Sequence, residues 1–157
     1  MIRMLLLSLL RAAAPAWAAD ALDAKALASL PNVAHPAPNP ATAGRLQAKD
    51  IALVANAGVR HVIDLTVDGE TPDFDEAEVR AAGMQHHNLP IRGAEHLTPD
   101  NAARFDCLIV EVGAAPTLFR CSSRNRVGAL AALRATWVQG NRWKRHWPKH
   151  VAGVEGP

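Results

Sequence analysis

Apolar residues change their period several times along this chain, and each change marks an element. In RLQAKDIALVANAG, residues 45–58, Leu46, Ile51, Leu53 and Val54 recur at helical spacing, and the run stops at Gly58. VRHVIDL then alternates partly and is rich in β-branched residues, which predicts a buried strand from Val59 to Leu65. TVDGETPDFD is polar and reads as a loop, DEAEVRAAG as a short helix ending in Gly83, MQHHNLPI as a second strand and RGAEH as a loop. From Thr98 to Val112 the helical period returns: Thr98 caps, Pro99 sits in the first turn and Asp100 follows. The apolar face of that helix is Ala102, Phe105, Leu108, Ile109 and Val112, with Cys107 beside it. PTLFR predicts a third strand, and an alanine–leucine pattern predicts a long helix from Asn125 to Val138. Strands alternating with helices predict an α/β fold, a central mostly parallel sheet of about four strands flanked by helices on both faces.

The two ends depart from this pattern. Residues 1–19 hold Arg3, an apolar run from Met4 to Leu10 and small residues around Ala16 and Ala18, as a secretory leader does, although Arg11 interrupts the pattern. Cleavage is expected after Ala18 or Ala19, which puts the mature protein in the periplasm or outside the cell. The run is too short to span a bilayer, so no stable membrane insertion is expected. Residues 20–38 combine a weakly helical stretch with the start of PNVAHPAPNPATAG, whose four prolines predict an extended linker into a domain at 39–140. After Gly140 the composition turns basic and aromatic, with Trp143 and Trp147 among Arg142, Lys144, Arg145 and Lys149. Such a patch can touch a membrane or a nucleic acid. The favoured explanation of 141–157 is a shifted reading frame. In an alternative frame, permitted codons give a proline first, acids in the opening turn and an alanine–leucine run, which is the last helix such a domain wants. Reading the gene in that frame tests this; an early stop codon there removes the idea.

Composition adds bounds. A chain of 157 residues suits one domain with a real core, and a formal net charge of +2 does not demand a nucleic-acid partner. Two cysteines, Cys107 and Cys121, permit a disulfide in an oxidising compartment, which competes with a free thiol at Cys121. His86 and His87 are adjacent on a predicted strand and point to opposite faces, so no metal site is expected. No cofactor motif stands out.

The chemistry concentrates in FRCSSRNRVGALAALRATWV, residues 119–138. Cys121 falls between a strand and a helix, at the sheet edge where ligands of α/β proteins bind. Ser122, Ser123, Arg124 and Asn125 carry no bulky apolar group, so their amides can turn inward and form a nest for an anion, with Arg126 gripping it. The positive end of the following helix favours the same anion, and favours a nucleophilic thiolate at Cys121. The competing reading is a small, inert buried cysteine at a strand end.

These segments also carry a resemblance. AGVRHVIDLTVDGET, AAGMQHHNLPI, LTPDNAARFDCLI and PTLFRCSSRNRVGALAALRA, in that order, resemble the bacterial phosphatase-like domain found attached to β-lactamase-type hydrolases, a relative of dual-specificity and protein-tyrosine phosphatases. The resemblance runs from Asn39 to Gly140. It implies a tyrosine-phosphatase-like fold, Cys121 as nucleophile and Arg126 as oxyanion holder, acting on a small phosphorylated substrate. Three positions depart from the tyrosine phosphatases: the spacing is Cys-x4-Arg and not Cys-x5-Arg, Arg120 stands where a histidine is usual, and Arg124 stands where a glycine is frequent. The shorter loop is similar to that of rhodanese-type sulfurtransferases, which implies a sulfur-containing substrate and a persulfide on Cys121. A non-catalytic anion-binding domain is the third alternative. The dual-specificity relatives place an acid at a position that is Gly93 here, so the resemblance leaves Glu95 or His96 as substitutes, with Glu95 preferred and Asp100 committed to a helix start. Asp68 and Glu70 are expected to order their own loop or to pair with an arginine such as Arg124.

Overall fold

The computed structural model describes residues 21–37 and 39–140. The expected leader at 1–19 and the basic, aromatic segment at 141–157 lie outside the described residues. Four parallel strands form one sheet in the order β1-β4-β2-β3, where β1 is Pro40–Ala43, β2 His61–Asp64, β3 Gln85–Asn88 and β4 Thr117–Arg120. The helices are α1 Ala24–Leu27, α2 Ala48–Asn56, α3 Glu76–Ala81, α4 Pro99–Val112 and α5 Asn125–Leu133. A 3-10 turn, Ala94–His96, precedes α4, and a π turn, Arg134–Val138, follows α5.

Alternation along the central strand β4 divides the core. Leu118 joins Val62, Ala41, Ile51, Val54, Val79, Leu27 of α1 and Leu30 just after it on one face. Phe119 and Cys121 join Ile63, Leu65, Phe105, Val127 and Leu130 on the other, under α4 and α5. Because helices cover both faces, β4 is buried at all four positions, the continuous burial expected of a central parallel strand. Phe105 and Phe119 meet edge to face, with ring centres 5.6 Å apart. An Arg134–Asp106 pair at 2.5 Å ties the π turn to α4.

The α4 boundaries match the sequence expectation because the cap is local: Thr98 Oγ1 accepts from Asn101 N–H at 3.2 Å and Pro99 occupies the first turn. The linker expectation is corrected. Within the proline-rich stretch, Pro40–Ala43 is a strand, paired with β4 and bridged to Ala34. Proline is tolerated there because β1 is an edge strand and Pro40 is its first residue. Alternation was invisible in so short and small a run, PATA.

Candidate active site

Parallel strands leave their carboxyl ends on one edge of the sheet, and four loops meet there. The ladder runs one residue past β4, since Cys121 N–H donates to the Ala43 carbonyl at 3.4 Å. The chain then turns, and α5 starts at Asn125. The Ser122 carbonyl accepts from Arg45 N–H at 3.1 Å, and Arg124 O accepts from Gly128 N–H at 3.2 Å. Among the described residues, the N–H groups of 122–127 donate to no protein acceptor. Unused successive amides at the start of a nine-residue helix are the elements of an anion nest. Arg124 takes the left-handed conformation, φ 72°. That conformation costs a residue with a Cβ about 1–2 kcal/mol and glycine almost nothing. Gly44 packs against the loop: a side chain there would meet the Pro31 and Ser122 carbonyls at 3.2 and 3.4 Å.

Arg126 reaches back from α5 and ties three loops together. Its Nη1 donates to Leu65 O at 3.1 Å, to Ile91 O at 2.8 Å and to Glu70 Oε2 at 2.9 Å, while Nη2 donates to Glu70 Oε1. Glu70 also accepts from the Ser122 hydroxyl and from Val67 N–H at 3.2 Å. The Arg126 hydrogen bond, followed by those of Ser122 and Val67, outweighs partial burial and holds the Glu70 carboxyl down at about 2. The same bond raises Arg126 above its ordinary value, and the nearby Cys121 contributes in the same direction.

The structure therefore brings Ser122 and Arg126 together through Glu70. Glu70 orders its own loop through Val67 N–H and pairs with an arginine, which is Arg126 and not Arg124: Arg124 is the N-cap of α5, and Arg126 lies two residues further on. Ser123 and Asn125 are exposed on the rim, and Asp68 is exposed at the tip of its own loop. Cys121 is fully buried within the α4–α5 core cluster, Cys107 is exposed, and both are free thiols. Glu95 is exposed on the 3-10 turn, and its carboxylate folds over Gly93: Oε2 lies 2.7 Å from where a Cβ on residue 93 would stand. His96 faces the backbone, accepting from Arg92 N–H at 3.2 Å. His86 and His87 do face opposite ways, His86 toward Asp64 at 3.4 Å and His87 toward His61 at 3.1 Å. Among the described residues no group of three or more potential ligands could hold a metal ion, and no helix is long and apolar enough to cross a membrane.

Sequence reasoning passed over a second polar cluster. Arg120 is completely buried, with Nε 3.4 Å from Asp64 Oδ1, Nη2 donating to Thr71 Oγ1 at 2.7 Å, and its guanidinium carbon 4.0 Å from the Phe74 ring centre. The available signal was a charged residue directly after the apolar pair of each of two strands, Asp64 in HVID and Arg120 in TLFR.

A four-stranded parallel sheet covered by helices, with a Cys-to-Arg loop joining a central strand to a helix, defines the protein-tyrosine-phosphatase-like class of α/β proteins. Residues 34–137 match the family of the phosphatase-like domain of β-lactamase hydrolase-like protein, which is more than half the chain, and the chain belongs to that family. No curated protein matches it significantly. Among solved structures it is similar to a Shewanella putrefaciens protein of the DUF442 group described as a candidate phosphatase, with TM-score 0.68 and 19% identity over 85% of this chain and 88% of that one. It is similar to another protein so described, from Neisseria meningitidis, with TM-score 0.58 and 18% identity over 77% and 88%. The core catalytic domain of the PP-IP phosphatase SIW14 from Saccharomyces cerevisiae gives TM-score 0.58 and 12% identity over 82% and 80%. At these identities the likeness speaks for the fold.

Proposed function

We propose that this protein is an exported cysteine-dependent phosphatase acting on small phosphomonoesters. The observation that carries the reading is the row of unused amides at 122–127 beside Arg126, at the end of the strand that presents Cys121. In the proposed reaction the Cys121 thiolate attacks phosphorus and the phosphorus–ester oxygen bond breaks. The amides and Arg126 hold the three non-bridging oxygens, whose charge they stabilise best in the transition state. Glu95 gives its proton to the leaving alkoxide. Its carboxylate fills the space that a side chain on residue 93 would take, the position where related dual-specificity enzymes carry their acid. Water then attacks the cysteinyl phosphate, Glu95 takes the water's proton, and phosphate and the thiolate are released. The Glu70 carboxylate and the Ser122 hydroxyl orient Arg126 and do not touch substrate.

Release of p-nitrophenol from p-nitrophenyl phosphate by the purified protein, abolished in Cys121→Ser, is the expected result. Full activity in Cys121→Ser overturns the mechanism. One observation favours a second reading, a non-catalytic anion-binding domain: Cys121 is buried among apolar side chains. Phosphate binding without turnover, in a protein whose Cys121 resists iodoacetate, would select it. Thiocyanate formation from thiosulfate and cyanide would instead select a sulfurtransferase. Export is tested by fractionating cells and sequencing the mature N-terminus, with cleavage after Ala18 or Ala19 expected.

A further inference from the structure

We propose that Arg120 is a positioning residue for the phosphate site, acting through Thr71 to fix the loop that presents Glu70 to Arg126. This rests on the reading of the 121–126 loop as the anion site. Arg120 and Cys121 are neighbours in sequence but project to opposite faces of the sheet, so Arg120 does not reach a substrate over Cys121. It is instead the post around which residues 64–74 wrap. Arg120 Nη2 donates to Thr71 Oγ1 at 2.7 Å and reaches Thr66 Oγ1 at 3.4 Å. Asp64, opposite Arg120 in register, lies 3.4 Å from its Nε and accepts from both the Thr66 amide and the Thr66 hydroxyl at 2.8 Å. Phe74 closes the wrap, stacked on the guanidinium and with its N–H on the Thr71 carbonyl at 3.1 Å.

Glu70 sits between those two threonines, with its carboxylate turned the other way, onto Arg126 and Ser122. Arg120 and Arg126 thus grip one loop from opposite sides, and the aim of Arg126 depends on both grips. A buried guanidinium is a costly way to do this: Arg120 is completely buried and its Nη1 has no hydrogen-bond partner among the described residues. An apolar side chain of similar volume would fill the space at less desolvation cost. It would not hold the two hydroxyls.

The test uses Thr71→Val, which deletes the acceptor at the partly exposed end of the grip and keeps the side-chain shape, with Thr71→Ser as the conservative rescue. Three quantities are measured: the KM for p-nitrophenyl phosphate, the Kd for inorganic phosphate by calorimetry, and the Glu70 carboxyl titration by carbon NMR. Loss of one charge-assisted hydrogen bond predicts a rise of about tenfold in KM and Kd in Thr71→Val, with Thr71→Ser within about twofold of wild type. Glu70 should titrate above its value of about 2 in Thr71→Val, toward the ordinary carboxylate range. A folded Thr71→Val with wild-type Kd and wild-type Glu70 titration overturns the proposal, whatever the enzyme does. If wild type binds phosphate without hydrolysing the ester, and Thr71→Val binds it more weakly, the catalytic reading falls and the grip stands. If wild type neither binds phosphate nor hydrolyses the ester, both fall.

Discussion

Replacing Glu70 by glutamine keeps the shape and the acceptor oxygen and removes the charge that faces Arg126. The carboxyl lies at about 2 in the folded protein against an ordinary 4.5, and its side chain is only 17% exposed. At about 1.4 kcal/mol per pH unit, that gap amounts to roughly 3 kcal/mol of stability from ionised Glu70. The folded-state value is the lower one, so the contribution is fully present above about pH 5 and fades as pH falls through 4.5 toward 2. Linkage puts the loss at about 2 kcal/mol between pH 7 and pH 3. Urea unfolding of wild type and Glu70→Gln at both values reads it directly. Glu70→Gln should be less stable by about 3 kcal/mol at pH 7, and the difference between the two proteins should shrink to about 1 kcal/mol at pH 3. A gap that is the same at both pH values would show that shape, not the ion pair, carries the effect, and would refute the argument that this pair organises the site.

Other substitutions probe separate parts of the same edge. Arg126→Lys keeps the charge but cannot serve Glu70, Leu65 O and Ile91 O at once, and should lower kcat/KM for p-nitrophenyl phosphate about a hundredfold or more. Glu95→Gln should slow hydrolysis of phenyl phosphate about a hundredfold and that of p-nitrophenyl phosphate far less, because the better leaving group needs less protonation; equal losses would remove Glu95 as the acid. Arg124→Gly relieves a left-handed backbone and should raise the free energy of unfolding by about 1 kcal/mol in urea titration.

Where the signal is local, the sequence carried it. Thr98 and Pro99 mark the start of α4 because a cap needs only four residues, and Gly83 marks the end of α3 because φ is +84° there. The loop at Cys121 was legible for the same reason: residue types at a strand–helix junction decide which amides are unused. β1 was not legible, since PATA owes its strand to pairing with Thr117–Arg120, seventy-odd positions away. The Glu70–Arg126 and Arg120–Thr71 contacts, at separations of 56 and 49 residues, depend on the register between β2 and β4. Once that register is known, Asp64 opposite Arg120 follows at once.

On the proposed reading of the 121–126 loop, the pairing of Arg126 with Glu70 also decides what the site would bind. A guanidinium has five N–H groups in a fixed plane. Nη1 is committed to two backbone carbonyls and to Glu70, and Nη2 gives one hydrogen to Glu70. The Nε–H and the second Nη2–H remain, and they lie on one edge, the geometry for two oxygens of a single oxyanion. Since the Arg126–Glu70 pair is close to neutral as a unit, net charge is not what draws an anion here. The amides of 122–127 and the α5 terminus supply directed dipoles, which reward an ion whose oxygens match them and give little to a spherical one. Phosphate and tungstate should therefore bind in competition with each other and be displaced poorly by chloride at equal ionic strength. A site that chloride empties as readily as sulfate would be a patch of positive potential, and the amides would have no part in it.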